Sequence, residues 1–160
     1  MNRAIWKEGK SRHPEVTMFY KIVSAVLLAL CTCALFGQAA APYTPKFPGD
    51  PAHSQSEFVA LAYMRTLATA QRAYFKKHNK YATSLSQLAA SPGSFTKRMA
   101  HTDRGDYTVG FHGALTKFYV QMTPKQFDAE HRAFWDNENG IIHVESDKPA
   151  TEQSPILRAD

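Results

Sequence analysis

The chain has 160 residues and a mass of 17.9 kDa, with 44% hydrophobic and 21% charged residues. That length holds one domain with tails, and the composition excludes a wholly disordered or collagen-like chain. The net charge of +5 is no nucleic-acid footprint: Arg3, Lys7, Lys10, Arg12 and Lys21 against Glu8 and Glu15 place +3 of it ahead of residue 22, and the remaining 14 basic and 12 acidic residues are mixed. The only cysteines, Cys31 and Cys33, have a one-residue spacing that suits neither a disulfide framework nor a CxxC redox motif.

Residues 22–37, IVSAVLLALCTCALFG, carry no charge, follow Lys21 and run into the small-residue tract Gln38-Ala39-Ala40-Ala41. This is the order of a secretory signal, and Gly37-Gln38-Ala39 places small residues at −3 and −1 with Ala40 first in the mature chain. Met18 competes with Met1 as the start, because MFYK leads directly into the apolar run. The other reading is an uncleaved anchor, since 19–41 is long enough to span a hydrocarbon core of about 30 Å. Thr32 before Cys33 and Leu30 before Cys31 disfavour a lipoprotein site. Either leading reading places the rest of the chain outside the cytoplasm.

Pro42, Pro45, Pro48 and Pro51, with Gly49, predict an extended linker that no helix can enter. A polar segment, His53-Ser54-Gln55-Ser56, then supplies an N-cap serine, and Glu57 adds a negative charge in the first turn. FVALAYMRTLATAQRAYFKKHNK, residues 58–80, predicts one long helix with Leu61, Met64, Leu67, Ala68, Gln71 and Phe75 on a single buried stripe. Lys76, Lys77 and Lys80 complement the C-terminal end of the dipole, and Asn79 suits a left-handed terminating residue.

A short second helix is expected after Tyr81, capped by Thr83 or Ser84 and pinned by Leu85 and Leu88, with Ser91-Pro92-Gly93 ending it. Residues 94–105 lack periodicity and predict an exposed loop. The period then changes to two: Tyr107, Val109 and Phe111 form one face of a strand, and Phe118, Val120 and Met122 one face of the next, which Thr123-Pro124 stops. A third strand is expected over 132–135 and a fourth over 141–145, joined by the turn-rich 136–140 segment. From Ser146 onward no period remains, so the tail is expected to be frayed. The fold class is therefore α+β, one long N-terminal helix packed on an antiparallel meander of about four strands. The expected organisation is a signal peptide or membrane anchor over 1–41, a Pro-rich linker over 42–53, the α+β domain over 54–148 and a flexible tail over 149–160.

Two stretches of this domain resemble a known family. Met64-Arg65-Thr66-Leu67-Ala68-Thr69-Ala70-Gln71-Arg72-Ala73-Tyr74 followed by Tyr81-Ala82-Thr83-Ser84-Leu85-Ser86-Gln87-Leu88 is similar to the long helix and following loop of type IV pilin and type II secretion pseudopilin heads. Tyr107-Thr108-Val109, the strand ending at Thr123-Pro124, and Phe134-Trp135-Asp136-Asn137-Glu138-Asn139-Gly140-Ile141-Ile142 resemble the strands and the aromatic-Asp turn that close such heads. The resemblance covers about 90 residues and implies a non-enzymatic, extracytoplasmic structural module without cofactors. It stops at the stem: the apolar run holds no carboxylate, and the proline linker interrupts the continuous helix of a pilin.

Catalytic and metal chemistry find little in the pattern. His101 with Asp103, and His112, His131 and His143, are the residues a metal would use, but no HExxH or paired ligand spacing is present. His112 and His143 fall at positions expected to face solvent. No GxSxG elbow occurs, and Asp128, Glu130 and Asp136 read as a solvated loop rather than a carboxylate pair. The expectation is no catalytic, cofactor or metal residue. Aromatics remain: alternation sends Phe118 and Phe134 toward the helix, beside Leu67 and Phe75, and Tyr119 and Trp135 to the other face, as a partner surface if the loop or tail leaves it open. The expected partner is a protein or another cell-envelope component, plus the membrane through 22–41 if that segment is uncleaved, and no nucleic acid. The expected location is periplasmic, secreted or anchored in the inner membrane, with a small periplasmic hydrolase or metal-binding protein as the alternative function.

Overall fold

The computed structural model describes residues 42–158. The export segment expected over 1–41 and the two cysteines lie outside them.

Helix α1 spans Gln55–His78, so it opens the folded domain and does not stand at the start of the chain. Ser54 is extended at its N-cap, and its hydroxyl accepts the Glu57 N–H at 3.1 Å. Asn79 closes the other end in the left-handed region, φ 54°, and donates its N–H to the Phe75 carbonyl at 2.8 Å. The predicted stripe is buried at Leu61, Met64, Leu67, Ala68 and Gln71. Phe75 is the exception: it is 37% exposed and stacks on Tyr81 with ring centroids 4.7 Å apart. The buried aromatic of that last turn is Tyr74, next to it in sequence. Gln71, fully buried, acts as a strand-like bracket, donating to the Ala82 carbonyl at 3.0 Å and accepting the Ala82 N–H at 2.9 Å.

Helix α2, Leu85–Ala90, is capped by Ser84, whose hydroxyl accepts the Gln87 N–H. The Gln87 side chain reaches back to accept the Thr83 N–H at 2.8 Å. A 3₁₀ turn at Lys97–Ala100 follows. The sheet is then a simple meander, β1 (Asp103–Arg104), β2 (Tyr107–Gly113), β3 (Phe118–Pro124), β4 (Ala133–Asn137) and β5 (His143–Glu145), in that spatial order and antiparallel throughout. The described residues hold five strands against the expected four or so. The extra one lies inside the expected 94–105 loop, where two residues pairing with Thr108 and Tyr107 are too short to show a period.

One sheet face packs on the helices. Tyr107, Val109, Phe118, Val120, Met122 and Phe134, none more than 4% exposed, meet Leu61, Met64, Leu67 and Leu88 there. The α+β layering follows from this: helix stripe and sheet face each hide apolar surface that neither covers alone. Gly113 lets the β2–β3 hairpin approach the segment after α1, since a Cβ there would collide with the Ala82 carbonyl. The Tyr81 N–H bonds the Leu115 carbonyl beside it at 2.9 Å.

Both flanks are docked. The proline segment is non-helical, yet Tyr43 donates to Asp50 at 2.6 Å, Ala52 is buried, and the Pro51 carbonyl accepts from Arg132 at 2.6 Å. The tail, expected to fray, folds back along β5: Val144 donates to the Pro155 carbonyl and Leu157 to the Ile142 carbonyl, each at 2.8 Å. Gln121 reaches the Ala150 carbonyl at 2.6 Å, and Ala150 and Ser154 are buried. Backbone groups on an edge strand seek partners, which is why a tail without side-chain periodicity can still dock. Among the described residues no helix is long and apolar enough to cross a membrane.

Candidate functional site

The second sheet face is the candidate site, and strand register builds it. His112 stands directly opposite Tyr119, Tyr119 opposite Asn137, Gln121 opposite Trp135, and Trp135 opposite His143. Successive side chains alternate, so placing Phe118 and Phe134 under the helices sends Tyr119 and Trp135 the other way. With His112 and His143 their rings form a row across four strands, β2 to β5. His112 and Tyr119 lie 5.2 Å apart at 17°, and Tyr119 and Trp135 lie 6.1 Å apart at 24°. His143 closes the row with its ring against Trp135 at 5.4 Å and 78°.

The two residues singled out from the sequence are thus brought together, with unequal access. Tyr119 is 40% exposed, whereas Trp135 is only 8% exposed. The expectation of an open Trp135 is corrected by the tail: Ala150 packs with Trp135 and Ala133, and Phe127 borders them. The tail is held by Gln121, by the Ser154 carbonyl 2.6 Å from His143 Nδ1, and by the Ser154 hydroxyl donating to Glu145 at 2.9 Å. It leaves a groove of about 530 Å³, lined by His112, Tyr119 and Trp135 of the row and by Thr151, Glu152 and Gln153 on the tail side. Lys117, Asn137 and Glu138 line it from the ends of β3 and β4.

Several polar groups in this groove are unspent. Among the described residues the Lys117 ammonium, the Glu152 carboxylate, the Gln153 amide and the Asn137 Nδ2 have no hydrogen-bond partner. Among the described residues the Trp135 indole N–H also makes no hydrogen bond. His112 belongs to the row, a placement that alternation alone suggests once Tyr119 is chosen. The tail residues could not be found that way.

The remaining candidates are dispersed. His131 lies between two carboxylates, with Nδ1 2.8 Å from Asp128 and Nε2 3.7 Å from Asp106. The backbone N–H of Glu130, then the His131 side chain, hold the Asp128 carboxyl below its ordinary range. Ser56 donates to Asp106, so its hydroxyl is turned toward a carboxylate and not toward His131. Asp103 pairs with Lys125 at 3.0 Å, and His101 is exposed nearby. Among the described residues no group of three His, Cys, Asp or Glu side chains is placed to hold a metal ion. Asp136 is not in a solvated loop: it lies in β4, is 2% exposed, and burial pushes its carboxyl up, opposed by the Asn137 N–H that it accepts at 2.9 Å.

The buried charge that the sequence reading missed is Glu57. It is fully enclosed and accepts from Arg132 Nε at 2.9 Å, Nη2 at 2.8 Å and backbone N–H at 2.9 Å, and from the His53 N–H at 2.8 Å. This bidentate pair ties the start of α1 to the start of β4 and to Pro51, away from the groove, and its role is architectural. Comparisons with protein-family models, with curated proteins and with solved structures give no match to this chain.

Proposed function

We propose that the chain is a non-enzymatic, extracytoplasmic binding or structural module, laid out like the head of a type IV pilin or type II secretion pseudopilin. The layout is supported by the order of parts, a capped helix of 24 residues, a short second helix and an antiparallel meander. The observation that carries a binding role is the groove on the face opposite the helices, where the aromatic row is joined by polar side chains without partners. Its partner is a protein or another envelope component reached outside the cytoplasm, with the 22–41 run serving as signal or inner-membrane anchor.

Fractionation of cells producing the full chain with a C-terminal tag tests this reading. The tag is expected in the envelope or the medium. Recovery in the cytosol with the N-terminal segment intact would refute it. The alternative is a small periplasmic hydrolase or metal-binding protein, with His131 between Asp128 and Asp106 as the nearest approach to such chemistry, although no group of three ligands is placed to hold a metal among the described residues. Stoichiometric metal in the purified protein, lost on His131→Ala, would favour that alternative.

A further inference from the structure

We infer that the groove binds a neutral saccharide, with Tyr119 and His112 as the stacking surface; this rests on the binding role proposed above and names its ligand class.

The groove volume of about 530 Å³ falls within the range of small-ligand sites, about 300 to 1,000 Å³. Its floor is aromatic and its rim is polar, which calls for a ligand carrying both apolar faces and dense hydrogen-bonding groups. A pyranose ring has that make-up: C–H faces that lie on aromatic rings and hydroxyls around its edge. Tyr119 and His112 are the exposed members of the near-parallel row, so the sugar face meets them first.

Charge and hydrogen-bond sense exclude the competing occupants. Single-stranded nucleic acid also stacks on aromatic rows, but it needs a cationic track, and here Lys117 shares the lining with Glu138 and Glu152. A polyproline peptide also docks between aromatic rings. Its backbone, however, presents carbonyl acceptors and few donors, whereas Glu138 and Glu152 are acceptors only. Carboxylates need donors from the ligand. Sugar hydroxyls donate to them and at the same time accept from the Lys117 ammonium. The Asn137 and Gln153 amides, one on each wall, add groups that both donate and accept.

The test is a titration of the full chain carrying Trp6→Phe, so that Trp135 is the sole indole reporter. The probes are chitohexaose, cellohexaose and maltohexaose, with a proline decapeptide in parallel. At least one saccharide is expected to change the emission saturably with Kd below ~1 mM, and with little response to added salt because the ligand is uncharged. Tyr119→Ala is expected to weaken that binding about tenfold or more. Gln153→Ala, exposed on the tail, is expected to weaken it without touching the sheet, and the remote Phe75→Ala to leave it unchanged. Saturation by the proline peptide alone, no saturation by any saccharide, or an affinity indifferent to both groove substitutions would overturn the inference. Protein found outside the cytosol that ignores saccharides removes this inference and leaves the broader binding role standing; cytosolic protein removes the broader role.

Discussion

Replacing Glu57 by alanine is the sharpest perturbation of the architecture. The substitution removes four hydrogen bonds from one enclosed carboxylate, and three of their donors belong to Arg132, whose side chain is only 13% exposed. The guanidinium then keeps the Pro51 carbonyl alone, a neutral acceptor that does not compensate its charge. Breaking a buried pair from one side typically costs about 3 to 5 kcal/mol, because the surviving charge stays desolvated. Against a domain stability of roughly 5 to 15 kcal/mol, that is a large share. Urea melts of wild type, Glu57→Ala, Arg132→Met and the double variant measure it. The expected result is a strong loss in Glu57→Ala and a double variant clearly less destabilised than the sum of the singles, since the pair is one unit. Salt should change little, because the contact is shielded from solvent ions. A loss in Glu57→Ala below about 1 kcal/mol, the range of exposed pairs, would refute the reasoning.

Asp136 gives a pH signature. Burial raises its folded-state carboxyl above the ordinary 3.8, so the folded chain holds that proton where the unfolded chain has released it. Its contribution to stability is present below 3.8 and is lost as pH rises through the raised value. Asp136→Asn should therefore be more stable than wild type at neutral pH and lack that fall, as read from thermal melts across pH 3 to ~8. In the sheet, Phe134→Ala should cost about 3 to 5 kcal/mol, whereas Tyr119→Ala should shift the urea midpoint little, because Phe134 is fully buried and Tyr119 is 40% exposed; the opposite ranking would mean that the faces are exchanged. Ending the chain after Lys148 removes the strap over Trp135, so in a Trp6→Phe background the emission should move to the red and iodide quenching should rise. Unchanged emission would mean that the tail does not cover the indole.

Local chemistry made several elements legible in the sequence. Ser54 and Asn79 bracket α1 because a hydroxyl before a helix and a residue tolerant of positive φ after it satisfy backbone groups within their own turn. The alternation over β3 and β4 sorts Phe118 from Tyr119, and Phe134 from Trp135, because a period of two follows from strand geometry alone. Phe75 departs from its stripe because helical periodicity defines a stripe but not where the facing layer ends: at the last turn Tyr74 finds the core and Phe75 finds Tyr81.

Other features depend on residues far apart in the chain. Glu57 read as a helix-dipole residue, and only the arrival of Arg132, 75 positions later, makes it a buried ion pair. β1 exists because β2 offers two backbone partners, and Asp136 is buried because β4 carries it beneath the sheet. The candidate groove belongs to this second class. Its floor was readable from Tyr119 and Trp135, but its wall is made by Thr151 to Gln153, a stretch without period whose position comes from hydrogen bonds to β5 and Gln121. Periodicity records which face a side chain takes. It carries no information about which distant backbone will complete an edge, and that completion decided how much of Trp135 solvent can reach.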